Sequence, residues 1–432
     1  MKKILLIILT CTGLFAQAQT LPATTQQTLP ATGLEAKILT LTAGLKPVGQ
    51  GDNTSLQYTL SGYAHIVTDA NKEEERKIVS RAFCKALPIV KDPENKAFII
   101  SLLQICGDNK SVPALKVYLN SKRLCDPATR ALVQINSPDA KVALLAALKK
   151  AAVSNNQISL IAAIGEVHYL GALDEITAFT ASKDPLIKRT ALLALANIGD
   201  EDSEPILAAA AEKSHYNTDS TQAVAAYILY IKRLALNWPI GPAVAASEKL
   251  LKKSHSPYVR SAALELLVQT RSKDAIFILM SAVDDTVPQY RAAAFQLAGR
   301  NITGDNAEQW VRKAELSEGA VKAGVITMLG ASKQTAGSRL IKNSLSDKDP
   351  RVKLAAINAV GALGTGEMVP ALLNTMKTAD TLSVTAIRDV LLTIRGLDVV
   401  SRIMASLPFQ PPLAQTALKE VLAIRNPTNK TD

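Results

Sequence analysis

The side chains best suited to chemistry in this 432-residue chain are four histidines, four cysteines and a few adjacent carboxylates. A metal ion needs two or more ligands converging within a few ångströms. His65, His168, His215 and His255 are scattered, with no i, i+4 histidine partner and no His-Glu pair. His168, which follows Gly165-Glu166, reads as a repeat-end histidine making a local hydrogen bond rather than a ligand. A cysteine nucleophile needs a polar setting and a base; Cys84 and Cys106 have Phe83 and Ile105 as neighbours, and a histidine base would have to come from another part of the chain. The acidic pairs Glu201-Asp202 and Asp284-Asp285 fall beside expected helix starts, where carboxylates complement the helix dipole, so they read as caps and not as an acid/base pair. No Gly-x-Ser-x-Gly, phosphate-cradling loop or dinucleotide fingerprint appears. The sequence thus predicts no catalytic residue, no metal site and no cofactor.

Binding chemistry is better represented. Lys252-Lys253, Arg312-Lys313, and Arg339 with Lys342 recur near the ends of expected helices, as do Lys149-Lys150 and Lys377. Stacked, they would form a basic stripe able to hold an acidic polymer or an acidic protein face. The competing reading is that cations at helix C-termini are favoured by about 0.3–1 kcal/mol each whatever the partner. A second set is aromatic: Tyr216, Tyr227, Tyr230 and Trp238 concentrate in one long unit, residues 215–256, of a chain with only 4% aromatic residues. Tyr230 and Trp238 would serve either as a platform for a sugar or peptide, or as packing between helices. The candidate partner-binding residues are therefore Lys252, Lys253, Arg312, Lys313, Arg339, Lys342, Tyr230 and Trp238. A further cation stands three residues after each of several prolines (Arg260, Arg291, Lys353), spaced to form a ladder with acidic caps of adjacent units.

The elements that must position these residues are set by repetition. Pro257, Pro288 and Pro350 are 31 and then 62 residues apart, and Glu318-Gly319 with Lys322 supplies the missing unit. A period near 31 in an alanine- and leucine-rich chain predicts stacked helical hairpins, each burying its apolar face only against its neighbours. First helices are expected near Pro93, Pro127, Asn156, Pro185, Thr221, Pro257, Pro288, Gly319, Pro350 and Leu382, since proline at the first helical turn forfeits no intrahelical bond and a preceding Asp caps free donors. Gly107, Gly165, Gly199, Gly299, Gly330 and Gly364 are expected to close first helices in the left-handed conformation. The fold class is all-α, a right-handed α-solenoid of about ten to eleven hairpins.

Asp184-Pro-Leu-Ile-Lys-Arg-Thr-Ala-Leu-Leu-Ala-Leu195 and Asp349-Pro-Arg-Val-Lys-Leu-Ala-Ala-Ile357 resemble HEAT repeats of the short bacterial kind, also found in phycobilin lyases. Leu60-Ser-Gly-Tyr-Ala-His65, Lys96 to Ile105 and Leu124-Cys-Asp-Pro-Ala-Thr-Arg130 resemble HEAT segments of secreted bacterial proteins that also carry a 3-keto-glycoside hydrolase domain. The chain has no strand-rich segment after the array, so that hydrolase activity transfers to no residue here. Because solenoids offer extended concave surfaces and no convergent polar cluster is present, the expected function is an exported, non-enzymatic scaffold whose curved face binds another protein; the alternative is an accessory module of a glycan-processing system that binds carbohydrate or a partner hydrolase.

The chain opens with Met1-Lys2-Lys3, an apolar stretch from Ile4 to Phe15 and Ala16-Gln17-Ala18, the pattern of a secretory signal peptide over residues 1–18. The alternative, a lipoprotein acylated at Cys11, lacks the small residues that ordinarily precede such a cysteine. Residues 19–33 read as a Thr/Pro linker, 34–91 as N-terminal helices, 92–407 as the solenoid, 408–425 as a capping helix and 426–432 as a polar tail. The protein is therefore expected to be exported, periplasmic or secreted, with no transmembrane segment. Loss of Lys2 and Lys3 leaves 47 basic against 38 acidic residues, a net charge of +9, which is consistent with nucleic acid, an acidic glycan or an anionic envelope surface, and export disfavours nucleic acid. Cys84, Cys106 and Cys125 remain, read as core hydrophobes in preference to a disulfide.

Overall fold

The computed structural model describes residues 31–236, 240–272 and 274–425. The expected signal peptide, Cys11, the polar tail and Trp238 lie outside the described residues. Among the described residues all regular structure is helical, apart from an isolated parallel bridge between Thr365 and Arg395. In chain order the helices are α1 (Ala31–Ala43), α2 (Thr54–Ile66), α3 (Glu73–Ala86), α4 (Pro93–Cys106), α5 (Val112–Lys116), α6 (Cys125–Ile135), α7 (Pro138–Leu148), α8 (Ser154–Glu166), α9 (Leu173–Phe179), α10 (Pro185–Ile198), α11 (Glu204–Lys213) and α12 (Ala223–Leu234). They continue as α13 (Gly241–Lys253), α14 (Pro257–Thr270), α15 (Ala275–Ala282), α16 (Pro288–Asn301), α17 (Gly304–Glu315), α18 (Gly319–Ala331), α19 (Ser338–Ser344), α20 (Pro350–Leu363), α21 (Val369–Met376), α22 (Thr381–Thr393), α23 (Val399–Ser406) and α24 (Pro412–Arg425). None is long and apolar enough to cross a membrane.

The chain divides into two compact units, one running to Tyr118 with Arg130–Ile135 added, the other comprising Leu119–Thr129 and everything from Asn136 onward. In the first, α1 packs along α3 and α2 along α4, burying Leu60, Phe83, Ile99 and Leu103. Arg76 of α3 donates to the carbonyls of Cys106 and Gly107, each at 3.0 Å, and so satisfies acceptors that the end of α4 leaves unpaired.

The second unit is an all-α solenoid. Its even-numbered helices from α8 to α24 lie side by side, each packed on the next, and they are parallel. At their C-terminal ends His168 Nδ1 meets the Asn197 carbonyl at 2.5 Å, Ser332 donates to the Gly299 carbonyl at 3.3 Å, and Arg425 donates to the Leu391 carbonyl at 2.6 Å. Contact on both flanks explains why such a helix is apolar nearly all round: α20 buries Val352, Ala355, Ala356, Ile357, Ala359 and Val360. Where Asp precedes the first-turn proline it caps as the spacing implies, Asp184 accepting from the Leu186 and Ile187 amides and Asp349 from that of Arg351.

Two features differ from expectation. The odd-numbered helices pack chiefly on the even-numbered helix that follows them (α11 on α12, α13 on α14), so each hairpin closes at the segment that leads into an even-numbered helix, which before α10 and α20 is the Asp-Pro turn. The repeat is thus phased half a unit away from the first-helix, second-helix order read from the prolines. And of the glycines expected to be left-handed closures, only Gly199 (φ 73°) and Gly364 (φ 72°) are. Gly107 has φ −65°, while Gly165, Gly299 and Gly330 lie inside helices. A Cβ on Gly165 would fall 2.6 Å from the Ala194 Cα, and one on Gly330 2.6 Å from the Ala359 Cβ. Glycine is required there by the close approach of parallel helices, not by backbone sign.

Candidate functional site

The shifted phase has a direct effect on the site. Because each odd helix leads through its hairpin turn into the next even helix, its C-terminal cations share one edge with the even-helix N-termini. Three consecutive turns, 283–287, 316–318 and 345–349, lie along that edge, each joining an odd helix to the even helix after it.

Ion pairs bind neighbouring turns together. Arg260, at the start of α14, meets Asp285 across the next turn with Nη2–Oδ2 at 2.5 Å and Nη1–Oδ1 at 3.4 Å, both side chains about one-fifth exposed. The same guanidinium stacks over the buried Tyr290 ring, 4.0 Å from its centroid. Asp284 takes the Lys313 ammonium at 2.5 Å from the end of α17, and Asp347 takes Lys322 at 2.7 Å. The Arg260 hydrogen bond holds the Asp285 carboxyl below the ordinary carboxylate range. For Asp347, burial alone would raise the value, and hydrogen bonds from Lys322 and the Asp349 amide bring it below normal. Of the cations three residues after a helix start, Arg260 makes the expected inter-unit rung. Arg291 instead donates at 2.8 Å to the Asp285 carbonyl of its own turn. Lys322 makes a rung that the sequence reading passed over, although it stands in the same register after Gly319.

Between the turns preceding α18 and α20 lies an open polar cleft of about 690 Å³, lined among others by Glu318, Lys322, Asp347, Lys348, Asp349 and Arg351. Arg351 pairs with Asp349 at 2.6 Å, so most of its lining charge is neutralised in place.

The candidate cations divide into two groups. Lys313 is committed to Asp284, and Arg339 reaches Glu315 only at 4.0 Å while staying 84% exposed on the side chain. Lys252, Lys253, Arg312 and Lys342 are exposed. The aromatic candidates part differently. Tyr230 is fully buried, its ring stacked on Tyr227 with centroids 6.4 Å apart, so it presents no face to a ligand. Tyr227 donates at 2.7 Å to Glu204, which also receives Lys249 at 3.3 Å. Tyr216 is buried with its hydroxyl unpaired, in a turn where His215 and Tyr216 both have positive φ. Tyr216, Tyr227 and Tyr230 are thus packed inside this unit, and Tyr227 and Tyr230 reach Glu204 and the Glu201 carbonyl.

Elsewhere the reactive groups are quiet. Cys84, Cys106 and Cys125 are free thiols, and burial pushes Cys106 up to about 12 and Cys125 to about 11. Among the described residues no three His, Cys, Asp or Glu side chains gather as a metal site.

No curated protein matches the sequence. Among solved structures, it is similar to the karyopherin Kap121p bound to the extreme C-terminus of the protein phosphatase Cdc14p, at 10% identity and a TM-score of 0.48 over 90% of this chain and 50% of that one. Kap121p bound to RanGTP matches at 15% identity and 0.47, over 91% and 49%. The chain spans about half the length of these structures, and the likeness is too distant to bear on its chemistry. At the level of sequence, residues 142–228 and 307–391 match the family model of HEAT repeats.

Proposed function

We propose that the protein is an exported, non-enzymatic scaffold that holds an acidic protein partner along the edge formed by the turns into the even-numbered helices. The observation that carries this reading is the division of cations there. Arg260, Lys313, Lys322 and Arg351 are neutralised by aspartates, whereas Lys252, Lys253, Arg312, Lys342 and Lys377 stand exposed at helix ends. A structural role at helix C-termini accounts for one such cation at a time; a row of them beside an already satisfied ion-pair ladder leaves surplus positive charge facing solvent. Support for export is the Met1-Lys2-Lys3 start with the apolar stretch to Phe15 and Ala16-Gln17-Ala18.

The test is capture of exported proteins on the immobilised full chain, against a variant with Lys252, Lys253, Arg312 and Lys342 all changed to Glu. The wild type should retain an acidic protein that added salt releases, and the variant should not. The fold should survive, because surface substitutions of this kind stay within about 0.5 kcal/mol each. Equal capture of that protein by both would remove the edge from the binding role.

A further inference from the structure

The polar cleft between the turns into α18 and α20 has a volume of about 690 Å³, within the roughly 300–1,000 Å³ of small-molecule sites. Six charged side chains line it, three acidic and three basic, so their charges sum to zero. Four of the six are paired with each other. Lys322 of α18 holds Asp347 of the next turn at 2.7 Å, and Arg351 holds Asp349 at 2.6 Å. The Arg351 guanidinium also lies against the start of α18, where a Cβ on Gly319 would fall 3.0 Å from its Nη2. These contacts tie the two turns together across the cleft.

Glu318 and Lys348 are the two charges left over, one on each turn. Both are exposed, and among the described residues neither side chain has an ion-pair or hydrogen-bond partner. Glu318 stands at the N-cap position of α18 yet makes no capping bond, whereas Asp349 caps α20 through the Arg351 amide. Its carboxylate is therefore not used by its own helix. An unpaired carboxylate on one turn and an unpaired ammonium on the next select a ligand carrying the complementary pair. A purely anionic ligand would be repelled by Glu318, and a purely cationic one by Lys348. The separation of the turns sets the ligand's length: packed helices stand about 8–10 Å apart, and an extended chain of two or three residues spans about 7–11 Å.

We infer that this cleft binds a short peptide with free termini, its ammonium on Glu318 and its carboxylate on Lys348. The exposed Ser346 hydroxyl, which also lines the cleft, offers a hydrogen bond to the peptide between its ends. The inference goes beyond the scaffold reading and does not depend on it, since Lys252, Lys253, Arg312 and Lys342 do not line the cleft.

The experiment is a ligand-observed NMR titration of the full chain with tri-alanine and its two blocked forms, N-acetyl-tri-alanine and tri-alanine amide. Tri-alanine should bind about fivefold more tightly than either blocked form, the scale of one solvent-exposed charge pair. Glu318→Gln should weaken tri-alanine by about the same factor and leave the N-acetyl form unchanged; Lys348→Gln should weaken tri-alanine and leave the amide unchanged. Both side chains are exposed and unpaired, so helicity by circular dichroism should not change, and Lys253→Gln, outside the cleft, should alter none of the affinities. Equal binding of the three forms, or a loss in the variants that ignores which end is blocked, overturns the inference. Retention of the N-acetyl form at full affinity overturns it too, by reducing the cleft to an anion site, as does failure of the folded wild type to bind tri-alanine. None of these outcomes bears on the capture experiment, which decides the acidic-partner reading separately.

Discussion

Alanine at Gly330 and alanine at Gly299 should shift stability in opposite directions, although the two glycines stand 31 residues apart at the same register of successive even-numbered helices. Inside a helix Ala is favoured over Gly by about 0.8–1.0 kcal/mol, so with room for the methyl group the change is a gain. At Gly299 there is room: the nearest atoms to a new Cβ are the Met328 Cγ at 3.6 Å and the Ser332 Oγ at 3.9 Å. At Gly330 the new Cβ would lie 2.6 Å from the Ala359 Cβ and 2.7 Å from its Cα. Since an ordinary carbon–carbon contact is about 3.6 Å, α20 would have to move away by about 1 Å. The obstruction is backbone and has no rotamer to escape into, and such overpacking costs about 1–3 kcal/mol. Gly330→Ala should therefore lose about 1 kcal/mol or more net, while Gly299→Ala gains about 0.5–1 kcal/mol. Urea titration by far-UV circular dichroism gives the sign, and amide exchange in α18 and α20 shows whether the loss is local, as stacked repeats require. A stabilised Gly330→Ala would refute the close-approach account and return that glycine to a conformational role.

Tyr230→Ala should cost about 3–5 kcal/mol, as for a buried aromatic, whereas Tyr230→Phe should cost little because its hydroxyl reaches the Glu201 carbonyl only at 3.4 Å; denaturant midpoints compare the two. Cys106 and Cys125, with raised pKa values, stay protonated at pH 8 and should resist iodoacetamide in the native protein, reacting only after urea unfolding, as mass spectrometry of the alkylated chain would show. The Asp285 carboxyl is held low when folded, so its contribution to stability is full above the unfolded value of about 3.9 and fades as pH falls through the folded value. The difference in melting temperature between wild type and Asp285→Asn should accordingly be constant near neutrality and shrink below about pH 4. Intact mass of the protein recovered from outside the cytoplasm should place Gln19 at the N-terminus; an unprocessed Met1 or a lipid-modified Cys11 would refute the expected cleavage.

Helix positions were legible because their punctuation is chemical. Pro185, Pro257, Pro288 and Pro350 each open a helix at the position read from the sequence, and Gly319 does so without a proline because Lys322 kept the register visible. The phase was not legible. A proline marks where a helix begins but carries no information on which neighbour that helix prefers, and that preference depends on apolar residues on two faces at once. The glycines misled for a similar reason, since Gly165 and Gly364 look alike in sequence and only the distance to the next helix tells a close contact from a left-handed cap. For the site, Lys252 and Lys253 were readable as helix-end cations, but the pairing of Lys313 with Asp284 joins residues 29 apart and required the stacking to be known.

The parallel packing of successive even-numbered helices also bears on how the chain is made. Its cross-layer bonds join residues about thirty positions apart, as His168 to Asn197 and Ser332 to Gly299 do. A polypeptide leaving a ribosome or a translocation pore N-terminus first need expose only about thirty more residues before each newly emerged layer can dock on the one already outside. Nothing in the stacked unit waits for the C-terminus to appear. Biogenesis can therefore proceed layer by layer, with at most one unsatisfied apolar face at the growing end and little opportunity for unfinished chains to associate with each other.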